Sequence, residues 1–211
     1  RIDHAHHAGN AMRALTDTIA LAEAVQAAVE LTDESDTLVL VTADHGHTLT
    51  FAGYPSRGNP ILDKVHNHGR DGRRVLARDG LGLPYTTLGY ANGPGYRGLD
   101  AAGNDITYYD APADFTPRSG RPDLTDVDTE HKYFQQEATV PLQSETHGGQ
   151  DVGIWARGPG AHAVRGTVEQ NVIFHFLVQA TPRLRQHLCG AGLCNADGVP
   201  VELPHPRMLA D

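Results

Sequence analysis

The chain has 211 residues and a formal net charge of -9 at pH 7, with 39% hydrophobic and 20% charged residues. That length can bury a sizeable core, as one domain or as part of a larger one. The composition is that of an ordinary globular chain. The acidic balance argues against nucleic acid or anionic membrane as the main partner, and no apolar run is long enough to span a bilayer.

In chain order, the first feature is Asp3-His4-Ala5-His6-His7. Asp3 and His7 are four residues apart, so on a helix they share one face and can reach one ion. From Asn10 to Glu30, Met12, Leu15, Ile19, Ala22, Val25 and Val29 recur at three- and four-residue steps. This periodicity predicts a helix with one apolar stripe. The polar run Thr32-Asp33-Glu34-Ser35-Asp36 ends it. The unbroken apolar run from Thr37 to Val41 then predicts a strand buried on both faces, as in parallel sheets. Helix, short loop and buried strand form half of an α/β unit, so the fold class is read as α/β.

Asp44-His45 follows that strand directly, where α/β enzymes present ligands at a sheet edge. Thr48 to Phe51 predicts a second short strand. Residues 53–139 are rich in Gly, Pro, Asp and Arg, and allow only short strands such as Tyr85–Leu88 and Ile106–Tyr109. So long a stretch without periodicity reads as an insertion, a small irregular subdomain over the site. The α/β pattern resumes with a strand at Val152–Ala156 and a turn at Arg157-Gly158-Pro159-Gly160. A capping-box pattern at Thr167 and Gln170 opens a helix over Val168–Gln179, which Pro182 closely follows. The tail from Gly190 reads as loop. The division is thus 1–52 as a metal-binding helix–strand segment of the core, 53–139 as insertion, and 140–211 as the rest of the core with its tail.

Cys189 and Cys194 are separated by four residues and read as a small disulfide loop or as two free thiols. Of the 13 histidines, His66, His68, His131 and His205 read as solvated surface imidazole. Those beside acids read differently. Asp3, His7 and His147, the last in Glu145-Thr146-His147-Gly148-Gly149, supply oxygen and nitrogen donors for zinc and leave one position open, the catalytic arrangement. Asp44 and His45 reach one metal only where the strand has ended and the backbone turns, which Ala43 and Gly46 permit. Five ligands from three segments point to two metals, a pair that can clamp the attacking and leaving oxygens of a phosphoryl group.

These segments resemble the alkaline phosphatases. Arg1-Ile2-Asp3-His4-Ala5-His6-His7, Val41-Thr42-Ala43-Asp44-His45-Gly46-His47 and Glu145-Thr146-His147-Gly148-Gly149-Gln150-Asp151-Val152 are similar to three metal-binding segments of that family. Phe51 to Asn59, Tyr90 to Tyr96, Ala156-Arg157-Gly158-Pro159 and Glu169-Gln170-Asn171 follow in family order, so the likeness runs from residue 1 to about 180. It implies a three-layer sandwich on a mostly parallel sheet, with 53–139 as a crown-like insertion. It implies two Zn2+ and one Mg2+. Asp3, His7 and His147 would bind the first zinc, and Asp44 and His45 the second. His4 and His6 would stand beside the metals without ligating, with His4 tuning the magnesium site.

The reaction implied is phosphate monoester hydrolysis through a phosphoserine intermediate, in a periplasmic or extracellular and possibly dimeric enzyme. An exported protein favours the disulfide. Gly46 replaces the Ser common after Asp-His, and Gln150 replaces a common Glu; neither is a ligand position. The family's serine nucleophile, bridging Asp, magnesium Glu and phosphate-binding Arg have no counterpart in these residues. Ser35, Ser56, Ser119 and Ser144 lack the nucleophile's context. The chain is therefore read as the C-terminal portion, partnered by the N-terminal half of the same protein and inactive alone. The alternatives are a related phosphodiesterase or phosphomutase, or a non-catalytic zinc-binding fragment.

Overall fold

The computed structural model of the protein describes residues 1–98 and 121–201. The expected strand Ile106–Tyr109, Ser119 and His205 lie outside the described residues. The chain divides into two compact units, Arg1–Glu23 with His45–Asp151, and Ala24–Asp44 with Val152–Asp211. Helix α1 (Ile2–His7) belongs to the first unit, and α2 (Ala11–Leu31) runs through the division.

In the first unit, the corner between α1 and α2 is built from small and amide-bearing residues. Ala5, Ala11 and Ala14 are buried. Asn10 is buried too; its Oδ1 accepts from the Arg13 amide at 2.9 Å, capping α2, while its Nδ2 donates to the Lys132 carbonyl at 2.8 Å. A cap of this kind contributes about 1 kcal/mol. The Gln136 side chain accepts from the Ala11 amide at 2.7 Å, and the Gln136 amide donates to the Gly9 carbonyl at 2.9 Å. The corner that carries Asp3 and His7 is thus stitched to residues far along the chain.

The strands of this unit are β2 (Gly46–His47), β3 (Leu49–Phe51), β4 (His66–His68), β5 (Arg74–Leu76), β6 (Leu88–Gly93), β7 (Ala138–Pro141) and β8 (His147–Gly148). β2 pairs antiparallel with β8, placing His47 opposite His147. β3, β6 and β7 form one sheet, with β6 and β7 parallel, and β4 and β5 form a separate pair. The strand expected at Tyr85–Leu88 lies a few residues later, at Leu88–Gly93. Buried Leu88 and Tyr90 anchor it.

In the second unit, β1 (Val39–Thr42) pairs antiparallel with β9 (Ile154–Arg157), Leu40 opposite Ala156 and Val41 opposite Trp155. Helices α3 (Val172–Ala180) and α4 (Pro182–Gly190) follow. Val178, Leu188 and Leu193 form a small core against which Phe174 packs. Cys189 and Cys194 are joined as a disulfide with their Cα atoms 4.8 Å apart, which resolves the two readings of that pair.

The architecture is mixed α/β with small sheets. The described strands do not form a mostly parallel sheet, because β6 with β7 is their parallel pair and β1 runs antiparallel to β9. An unbroken apolar run reports burial, not strand direction, and even the burial is partial: Val39, Leu40 and Val41 are half-buried. The capping box at Thr167 and Gln170 is not used; α3 begins at Val172 after Asn171, with no side-chain cap. Among the described residues, no helix is long and apolar enough to cross a membrane.

Candidate metal centre

Five imidazoles and two carboxylates converge in the first unit. Helix α1 presents Asp3 and His7 on one face, with His7 Nε2 3.3 Å from Asp3 Oδ1. The β2–β8 pair contributes His47 and His147, whose Nε2 atoms lie 3.1 and 3.8 Å from the same oxygen. The His45 ring stacks on His147 with centroids 3.5 Å apart. Donor atoms lie within 4.8 Å of one another in three groups: Asp3, His7 and His147; Asp3, His45 and His47; and His7, His47 and Glu145. Asp44, the last residue of the second unit's first segment, contributes to none of these groups.

Hydrogen bonds fix which nitrogen each ring offers. His7 Nδ1 is 2.5 Å from the Glu145 carbonyl, an acceptor, so the proton sits there and Nε2 keeps its lone pair toward Asp3. His47 is held at both nitrogens, Nδ1 at 2.6 Å from Glu145 Oε2 and Nε2 at 3.1 Å from Asp3 Oδ1. Both His47 nitrogens thus face carboxylate oxygens, and the ring is tied between Glu145 and Asp3. His47 therefore orients Asp3.

His6 points the other way. It is buried, its Nδ1 lies 2.9 Å from the Tyr90 hydroxyl, and its ring stacks on His47 at 4.7 Å. Burial, reinforced by the neighbouring His47, pushes its pKa down to about 4, so it is a neutral prop for His47 at physiological pH. Burial also pushes the Tyr90 hydroxyl upward. His4, by contrast, is exposed, 3.7 Å from Asp3 Oδ2. For Asp3, partial burial acts to raise the carboxyl, but His7 and His47 outweigh it and hold the group below its ordinary value.

The loop carrying Glu145 and His147 is located by Asn92 and Gly93. The Asn92 amide donates to Thr146 Oγ1 at 2.8 Å and accepts from the Thr146 amide at 2.9 Å. Gly93 has φ 131°, and a Cβ there would stand 3.0 Å from Glu145 Cβ, so only glycine lets the loop approach.

The donor set suits a bound metal ion. Tetrahedral ligation with bonds of 2.0–2.2 Å separates donor atoms by about 3.3 Å, and His7 Nε2 and His147 Nε2 stand 3.3 and 3.8 Å from Asp3 Oδ1. Asp3, His7, His45 and His147, expected as ligands from the sequence, are thus brought together. His47 and Glu145 are the members that sequence reasoning missed. His47 stands on β2, while His45 precedes that strand, so strand alternation gave no signal for it. Nothing marked Glu145 as buried.

The alkaline phosphatase family model matches residues 1–182. The chain belongs to the alkaline phosphatase family. It is 38% identical over 181 residues to the tissue-nonspecific isozyme of alkaline phosphatase from Rattus norvegicus, covering 86% of this chain and 29% of that protein. The same isozyme is 41% identical over 180 residues in Gallus gallus, covering 85% of this chain and 30% of that protein. In Homo sapiens it is 37% identical over 180 residues, covering 85% and 29% respectively. The chain therefore spans less than a third of the length of these alkaline phosphatases.

One departure from the family pattern has a structural counterpart. Where Ser is common, Gly46 leaves room for the Gln150 side chain. That side chain lies across the β2–β8 pair and donates to the His47 carbonyl at 3.1 Å.

Proposed function

We propose that these 211 residues are the zinc-binding C-terminal portion of an alkaline phosphatase that hydrolyses phosphate monoesters. The observation carrying this is Asp3 Oδ1 as a shared vertex, 3.3 Å from His7 Nε2 and 3.8 Å from His147 Nε2, the spacing of a tetrahedral site. In this reading Asp3, His7 and His147 hold one zinc, and Asp44 and His45 contribute to a second. His4 faces a magnesium site completed mostly by residues beyond this chain. When bound, zinc supplies Lewis acidity to the attacking and departing oxygens of the phosphoryl group. The chain's own residues do the rest: His7 and His147 present lone pairs, Asp3 supplies negative charge, and His47 holds Asp3 in place.

In this reading the serine that would form the phosphoserine intermediate comes from the longer protein beyond these residues. So do the strands that would complete a three-layer sandwich on a mostly parallel sheet. Residues 53–139 would be the crown-like insertion, between core segments 1–52 and 140–211. The Cys189–Cys194 disulfide supports an oxidising, periplasmic or extracellular location, and a homodimer is the family's usual assembly.

The test uses the longer polypeptide that contains these residues. His147→Ala removes one of three donors and is expected to lower monoester turnover at least 100-fold and bound zinc by one equivalent, with circular dichroism unchanged. Near-normal turnover with full zinc would reject the assignment. A preference for a phosphate diester over the monoester would favour a phosphodiesterase.

A further inference from the structure

Glu145 is the most enclosed charged group in the described structure and touches neither solvent nor Asp3. Its side chain has no accessible surface. Oε1 accepts from the Thr48 amide at 2.5 Å, and Oε2 from His47 Nδ1 at 2.6 Å. Its backbone is engaged as well: the carbonyl accepts from His7 Nδ1 at 2.5 Å, and the amide donates to the His7 carbonyl at 3.0 Å. One residue therefore grips two imidazoles, one directly through its main chain and one through its carboxylate.

Two roles are open to a buried carboxylate beside histidines. It can be a metal ligand, and Glu145 does fall in a donor group with His7 and His47. Ligation there would have to compete with the bonds the carboxylate already makes, Oε1 to the Thr48 amide and Oε2 to His47 Nδ1. Burying an unpaired amide and breaking charge-assisted bonds costs several kcal/mol. The other role is to orient. His47 can hold Asp3 Oδ1 at 3.1 Å only while its other nitrogen is fixed. Groups placed this way behind first ligands raise metal affinity typically 10- to 100-fold.

We infer that Glu145 is a positioning residue. Its buried carboxylate locks His47, and through His47 the Asp3 carboxylate, in the geometry that receives the metal. Charge and acceptor geometry are both needed, since an amide in its place offers one acceptor where two donors, the Thr48 amide and His47, converge. The inference rests on the zinc reading proposed above.

The experiment measures zinc affinity by competition with a chromogenic chelator, and zinc content at saturation, in the longer polypeptide. Glu145→Gln is expected to weaken zinc binding 10- to 100-fold while the saturated protein still holds the wild-type number of ions. Wild-type affinity, within twofold, in a folded Glu145→Gln protein overturns the inference; the group would then serve stability alone. Loss of one equivalent at saturation also overturns it, making Glu145 a ligand. If Glu145→Gln does not fold, Glu145→Asp, which keeps the charge but retracts it by one methylene, is measured instead. A several-fold weakening supports the inference and wild-type affinity overturns it. Failure of the zinc reading itself is recognised separately, because the unsubstituted protein would then bind no zinc that His147→Ala can remove.

Discussion

Glycine at position 46 and glutamine at 150 act as one feature. A Cβ on Gly46 would overlap the Gln150 amide as it lies, and that amide donates to the His47 carbonyl at 3.1 Å. The end of a glutamine is flexible, so the clash resolves by rotation, at the loss of one hydrogen bond, about 1 kcal/mol. Gly46→Ser should therefore destabilise the protein by about 1 kcal/mol, and the same substitution on a Gln150→Ala background should cost much less. A double-mutant cycle by urea unfolding measures this coupling; additive effects would mean that the two positions do not interact. The sequence marks both positions only as departures at non-ligand sites. Their contact depends on strand register: β2 opposite β8 brings Gly46 to Gly148 and, beyond it, Gln150. Local pattern does not carry that register. Asp3 and His7 were legible for the opposite reason, since a four-residue step on a helix is local geometry. Glu145 was not, because burial of an acid is decided by everything packed around it.

Elements with strong periodicity were readable, and those defined by a single residue's meaning were not. The three- and four-residue pattern from Met12 to Val29 does form a helix, Ala11–Leu31. Pro182 was read as a stop after α3. It is also a start, standing in the first turn of α4, where a missing N–H and a fixed φ are helpful. The residues from Pro182 to Gly190, for which the sequence pattern predicts no element, thus form a helix that packs through Leu188, with the disulfide at its end. Leu188 is buried in the cluster with Val178 and Leu193, whereas Leu184 on the same helix is 39% exposed. Leu188→Ala should accordingly destabilise the protein by about 2–4 kcal/mol, and Leu184→Ala by under about 1 kcal/mol. Equal losses in denaturant midpoint would show that α4 docks by a different face.

At the scale of the whole molecule, apolar surface is left uncovered. The stripe on α2 was predicted correctly in period, but Ile19 is 61% exposed and Leu31 85%, and Trp155 on β9 is 67% exposed. Strand β1 has one neighbour, β9, so its other edge is unpaired among the described residues. Such edges and faces invite association. The alkaline phosphatases matched here are over three times as long as the portion aligned to this chain, 181 residues being 29% of the rat isozyme. We take the remainder of that longer protein as what covers these residues in each unit. Burying side chains of that size contributes about 1.5–3 kcal/mol each, enough together to decide whether the chain is stable alone, given total stabilities of about 5–15 kcal/mol. Residues 1–211 expressed alone should therefore sediment as aggregates or bind a hydrophobic dye strongly. With zinc and magnesium added they should give no measurable hydrolysis of a chromogenic phosphate monoester, because in the proposed reading the serine of the covalent step lies outside these residues. Co-expression with the rest of the proposed longer protein should restore both monodispersity and turnover. A monodisperse chain with robust, metal-dependent turnover on its own would place the nucleophile within these residues and overturn the assignment of a shared active site.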